Sequence, residues 1–160
     1  MILGMTPFTF VHVALSLVGI AAGLVVALGL LQSNRVSAMT ALFLATTALT
    51  SLTGFGFPLD PFKPSHVVAI ISLVVLAITA YALYGRNLSG VWRVVYMVGA
   101  VFSLYLNVFV LVAQAFLKIP ALKALAPTQA EPPFALTQGV VLIIFIALGI
   151  LATMRFRPLR

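Results

Sequence analysis

Five long apolar stretches, separated by short polar ones, constrain this chain more than any other feature of its sequence. A helix needs roughly 20 consecutive apolar residues to cross the hydrocarbon core of a bilayer. The sequence therefore predicts one all-α domain over 1–160, a polytopic bundle of five transmembrane helices. A four-span alternative would omit the second stretch, which is the richest in threonine. We place the spans at about 7–31, 37–56, 65–85, 91–117 and 134–154.

The composition indicates a surface that faces lipid. Hydrophobic residues make up 63% of the chain and charged residues 7%, whereas soluble domains carry roughly 25% charged residues. The net charge of +7 would suggest nucleic acid in a soluble protein, but the basic residues lie between the apolar runs and at the C-terminus. We expect them to set the topology and to contact lipid headgroups, with no nucleic-acid partner. The lack of cysteine excludes disulfides, thiolate metal sites and a thiol nucleophile.

The distribution of basic residues predicts the orientation of the bundle. Five spans place the two termini on opposite sides of the membrane. The positive-inside rule then puts the N-terminus outside and the C-terminus in the cytoplasm. The inner side would carry Arg35, Arg86, Arg93, Arg155, Arg157 and Arg160, and the outer side Lys63, Lys118, Lys123, Asp60 and Glu131.

Polar side chains recur at helical spacing within three of the spans. Residues seven or eleven positions apart on a helix fall within about 20° of each other. An amide that faces lipid would leave its donors and acceptors unpaired, so we expect these stripes to face protein. They either join helices by hydrogen bonds or line a cavity. The stripes are Tyr96, Ser103, Asn107 and Gln114; Ser65, Ser72 and Thr79; and Thr46, Thr50 and Thr53.

Gly19 and Gly23 form a GxxxG pattern in the first span. Small residues at this spacing let two helix backbones approach closely. We expect this face to pack against helices of the same chain, and a homodimer interface is the alternative. His12 lies seven residues before Gly19, so it is expected to share that inward face.

Hydrogen-bonding side chains gather where the spans meet the outer surface. Both histidines of the chain lie near the start of a span that begins outside, and several phenylalanines surround the same level. An apolar pocket with a few polar groups is typical of a small-molecule site. The candidate pocket residues are His12, His66, Asn107, Gln114, Gln138 and Thr50.

Three functions are compatible with these patterns. The first is a non-enzymatic membrane protein, either an accessory subunit or a binder of an apolar, lipid-like ligand at the outer pocket. The second is a small redox protein that holds haem b or a quinone through His12 and His66, since imidazole is a common axial ligand of haem. The third is a permeation pathway for a small neutral solute along the polar stripes. Histidines bonded to loop carbonyls, without any ligand, are the simplest alternative for the pocket.

Catalytic and metal-binding patterns are missing from the sequence. It contains no HExxH motif, no phosphate-binding loop and no nucleophile with a plausible base. We therefore predict no catalytic residue and no metal site apart from the two histidines as haem ligands. The expected partners are membrane lipids, with a larger membrane complex or a homo-oligomer as a further alternative.

Three strings, ALFLATTALTSLTGFGFP, LYLNVFVLVAQAFLKIPAL and LAPTQAEPPF, resemble those of a family of small bacterial inner-membrane proteins that has no assigned activity. The resemblance runs over most of the chain. It implies a multi-pass protein of the bacterial inner membrane and adds no site residue.

Overall fold

The computed structural model describes residues 5–58 and 64–157. A π-helical turn, Tyr81–Gly85, continues the third helix. Five helices of the described residues, the third counted together with this turn, are long and apolar enough to cross a membrane. The predicted all-helical chain with five such helices is therefore confirmed. In the described part of the chain the α-helices are α1 (Pro7–Leu31), α2 (Ser37–Gly54), α3 (Pro64–Ala80), α4 (Trp92–Lys118), α5 (Pro120–Leu125) and α6 (Pro132–Arg155).

Local sequence explains where several helices begin and end. Thr6 caps α1 by accepting a hydrogen bond from the backbone N–H of Thr9, and Pro7 occupies the first helical turn, where its missing N–H is not needed. Prolines also open α5 and α6. After α1 the chain turns at Ser33, which has a φ of 56°. The largest difference from the predicted spans is about two residues, since α2 ends at Gly54 and α6 begins at Pro132.

The GxxxG face of α1 packs inside the bundle. A Cβ atom at Gly23 would lie 2.6 Å from Leu104 Cδ1 on α4 and 2.9 Å from the Phe43 ring on α2. A Cβ atom at Gly19 would lie 3.1 Å from the Thr46 hydroxyl. The two glycines therefore let α1 approach both neighbours, which confirms the predicted packing within the chain.

The polar stripes face protein, as predicted, but the hydroxyl groups of their four threonines bond within their own helix. Tyr96, Ser103 and Thr79 are almost completely buried. The hydroxyl of Thr46 donates to the Leu42 carbonyl on the same helix, at 2.7 Å. Such back-bonding satisfies a hydroxyl without a partner on another helix. The stripes consequently join helices at fewer points than their spacing suggests.

One end of the bundle, which we call the Arg157 end, gathers three segments that are distant in sequence. The Arg93 side chain at the start of α4 donates to the backbone carbonyl of Phe156. The next backbone N–H, that of Arg157, donates to the Ser33 hydroxyl in the α1–α2 loop at 2.7 Å. The buried ring of Phe156 lies 6.0 Å from that of Tyr96. These contacts anchor the end of α6 to α1 and α4.

Candidate functional site

A cavity of about 580 Å³ lies among α1, α2, α3 and α4, and we call it the four-helix cavity. Its walls come from the beginnings of α1 and α3 and the ends of α2 and α4, so it occupies the half of the bundle opposite the Arg157 end. Leucine, valine, alanine and phenylalanine side chains form much of the wall. The polar lining residues are Thr9, His12, Ser16, Thr50, Ser51, Ser65, His66, Ser72, Asn107, Gln114 and Lys118.

Five of the six candidate residues from the sequence line this cavity: His12, Thr50, His66, Asn107 and Gln114. They come from four different helices and from no common motif. Their meeting follows from the direction of each helix and from the depth of each residue below its helix end. Those two quantities can be read from a membrane-protein sequence, because span length fixes the position of the helix ends.

The structure does not bring Gln138 to the cavity. Its side chain is buried and its Nε2 atom donates to the Phe109 carbonyl on α4, at 3.0 Å. Within the described residues its Oε1 atom has no hydrogen-bond partner. The helix α6 packs mainly against α4 and α1, and it lies outside the four helices that form the cavity. Depth along a span predicts the level of a residue but not the side on which its helix packs.

His12 is held by a residue of the neighbouring helix α2. Its Nδ1 atom lies 2.8 Å from the Thr53 hydroxyl, and its ring packs edge-on against Phe57 with 5.1 Å between the centroids. The Thr53 hydroxyl also lies 2.8 Å from the Leu49 carbonyl. These contacts fix the imidazole at the wall of the cavity. The spacing of polar residues places Thr53 in a stripe but does not pair it with His12.

His66 lies at the start of α3 and is only 2% exposed. Its ring stacks on Phe55, at 6.1 Å between the centroids. On a regular helix His66 points about 100° away from the stripe that begins at Ser65, yet Ser65, His66 and Ser72 all line the cavity. The cavity therefore extends around a broad face of α3, and both histidines of the chain contribute to its wall.

The deep end of the cavity is polar. The Asn107 side chain, 8% exposed, donates from Nδ2 to the Thr47 hydroxyl on α2 at 3.0 Å. Ser72 is 2% exposed, and its hydroxyl has no hydrogen-bond partner among the described residues. Beyond this level the buried Phe43 and Leu104 close the interior with apolar side chains. Thr47 and Ser72 were absent from the predicted site, although Ser72 belonged to a predicted stripe.

The cavity opens toward the surface at its other end. Gln114 is half-buried there, and its amide forms no hydrogen bond with the described part of the chain. Lys118 is exposed at the same rim and is the one Lys, Arg, Asp or Glu residue that lines the cavity in 5–58 and 64–157. Leu17 on α1 and Leu111 on α4 line the cavity and are 50% and 40% exposed. These two side chains therefore belong both to the cavity wall and to the outer surface of the bundle.

Comparisons with known proteins leave the family open. No protein-family model matches the chain, and no curated protein or solved structure is significantly similar to it. Within the described residues no group of three or more His, Cys, Asp and Glu side chains is placed to hold a metal ion. The resemblance to bacterial inner-membrane proteins stays a prediction.

Proposed function

We propose that this chain is a non-enzymatic, multi-pass protein of the bacterial inner membrane that binds a lipid-like ligand in the four-helix cavity. The observation that carries this proposal is one cavity of about 580 Å³ in which apolar walls enclose a few polar groups from four helices. Ligand sites in proteins commonly have this volume and this character. An accessory role in a larger membrane complex is compatible with such binding.

We infer a side opening between α1 and α4 through which the ligand enters from the bilayer. Leu17 and Leu111 expose apolar surface where the cavity meets the outside of the bundle. In a bilayer this surface would face acyl chains, so an apolar tail could extend through the opening while the polar head stays inside. A water-soluble solute would gain no binding energy from contact with this apolar surface.

Membrane lipids are the expected partners of the outer surface. Leu136, Ile143 and Met154 on α6 are among the most exposed apolar side chains of the described residues. Exposed apolar surface of this extent is unfavourable in water and favourable in hydrocarbon. A second copy or another membrane subunit on this face is the alternative.

The orientation is proposed from charge. The contacts among Ser33, Arg93 and Arg157 bring arginine-bearing segments to one end of the bundle, which supports the grouping that places this end in the cytoplasm. We expect a reporter that is active only in the cytoplasm to be active when fused at residue 35 and inactive when fused at residue 125. A reporter that is active only outside should show the opposite pattern. Cytoplasmic activity at residue 125 would reverse the proposed topology.

Ligand binding can be tested by photolabelling in lipid nanodiscs. A long-chain alcohol that carries a diazirine would be the probe, and mass spectrometry would locate the labelled residues. We expect saturable labelling of the cavity walls in α1 to α4, together with labelling of α6 that rises in proportion to probe concentration. Labelling that is non-saturable on every helix would contradict the proposed function.

A variant that fills the cavity gives the control. Ser16 lines the cavity on α1, so Ser16→Phe should reduce the saturable labelling while the labelling of α6 stays unchanged. Gly139→Phe is the matched control on α6, because no atom lies within 4 Å of a Cβ at Gly139. If both variants lose the saturable component equally, the loss is not a property of the cavity.

A redox role is the second candidate function. His12 and His66 line the same cavity, and the Nδ1 atom of His12 is bonded to Thr53, as is usual for a histidine that binds iron through its other nitrogen. Among the described lining residues, Lys118 is the one cation that could pair with haem propionates. An absorption spectrum of the purified protein separates this candidate from the first: a Soret band that is lost in His12→Ala and His66→Ala would favour haem b.

A further inference from the structure

The hydrogen-bond directions around Thr53 determine which nitrogen of His12 carries the proton. Two oxygen atoms 2.8 Å apart need a hydrogen atom between them, so the Thr53 hydroxyl donates to the Leu49 carbonyl. A hydroxyl group has one hydrogen. The contact of 2.8 Å between Thr53 and His12 Nδ1 must then use the hydrogen of the imidazole. His12 therefore carries its proton on Nδ1, and neutral His12 has a bare Nε2 atom that can only accept.

A donor without a partner lines the same cavity on another helix. The Gln114 amide on α4 forms no hydrogen bond in the described part of the chain. His12 lies five residues after the start of α1 and Gln114 four residues before the end of α4, so both lie toward the open end of the cavity. One bare acceptor and one donor thus line a single cavity from two helices.

We infer that the ligand of the four-helix cavity is a neutral lipid with a hydroxyl head group, an inference that rests on the proposed function. A hydroxyl group donates one hydrogen bond and accepts two, so it satisfies His12 Nε2 as donor and the Gln114 amide as acceptor. The head is neutral because the described walls carry no charge except Lys118 at the rim. The apolar tail leaves between Leu17 and Leu111.

Competition against the saturable photolabelling tests this ligand class. Dodecanol, dodecyl methyl ether and dodecanoate would compete with the diazirine probe. We expect dodecanol to compete about tenfold better than the ether, which keeps the acceptor and lacks the donor. Dodecanoate should compete less well than dodecanol. A short-chain quinol and its quinone would distinguish a redox lipid from a simple alcohol, because the quinone lacks the hydroxyl donor.

Variants at His12 and Thr53 test the geometry. His12→Phe keeps a ring and removes the acceptor, so dodecanol and its ether should then compete equally. Gln138→Leu, which changes a buried amide outside the cavity, should keep the preference. Thr53→Val removes the group that holds the proton on Nδ1 and should reduce the preference; it also serves if His12→Phe does not fold.

The outcomes separate the inference from the proposed function. Equal competition by the alcohol and the ether in the unsubstituted protein would overturn the hydroxyl inference and leave lipid binding intact. Stronger competition by dodecanoate would overturn the neutral head. A preference that survives in Thr53→Val and His12→Phe would overturn the role of His12. If the unsubstituted protein shows no saturable labelling, the proposed function itself is wrong.

Discussion

Gly23→Ala is expected to destabilise the protein by about 1–3 kcal/mol, the usual effect of adding a methyl group to a tightly packed interior. The new Cβ atom would lie 2.6 Å from Leu104 Cδ1 and 2.9 Å from the Phe43 ring. Both neighbours are 1% exposed, so neither can move away without displacing other buried groups. The loss would be measured as a lower midpoint of thermal unfolding in the same detergent. Unfolding would be monitored as the fraction of protein that remains monodisperse after heating.

Gly139→Ala is the matched control for this prediction. It adds the same methyl group to a helix, at a position where a Cβ atom meets nothing within 4 Å. Alanine has a higher helix propensity than glycine, so the midpoint of thermal unfolding should stay unchanged or rise slightly. Equal midpoints for Gly23→Ala and Gly139→Ala would mean that α1 does not pack against α2 and α4 as described.

The same close approach of α1 also positions the site. Gly19 lies beside Thr46 and Asn107, and His12 lies about two helical turns earlier on the same helix. A displacement of α1 would therefore move His12 away from Thr53. We expect Gly23→Ala to weaken the dodecanol preference together with stability.

The helices were predictable because their length and their ends have local causes. The length of an apolar run predicts a membrane-spanning helix. Prolines such as Pro7 and Pro132 mark where helices begin. The inward faces were predictable as well, since Ser103 and Asn107 recur at helical spacing and a buried polar group needs protein around it. These properties belong to single helices.

The features that could not be predicted involve pairs of helices. Gln138 has the same depth as the cavity residues, but α6 packs outside the four helices that form the cavity. Likewise, the bond between His12 and Thr53 requires α1 and α2 to be neighbours with one particular rotation. Asn107 meets Thr47, which lies one position from Thr46 in the predicted stripe. Rotations and neighbours depend on the packing of all the side chains together.

Asn107→Asp is expected to reduce the yield of folded protein much more than Asn107→Leu. Asn107 is 8% exposed and donates to the Thr47 hydroxyl at 3.0 Å. Aspartate loses that donor and adds a charge near the middle of a span, which costs about 2.5–3.5 kcal/mol on insertion scales. Leucine loses the hydrogen bond alone, worth about 0.6 kcal/mol in measured membrane proteins. Size-exclusion chromatography of both variants in the same detergent would compare the yields.

Comparable yields for the two variants would show that water reaches Asn107, because only hydration removes most of the penalty for the carboxylate. Lowering the pH provides the control: protonation neutralises a buried aspartate, so Asn107→Asp should recover yield in acid while Asn107→Leu should not change. A hydrated Asn107 would mean that water reaches from the rim of the cavity near Lys118 to its deep end. That result would favour passage of a small neutral solute over binding of a lipid, since a continuous column of water and a bound ligand cannot occupy the same 580 Å³.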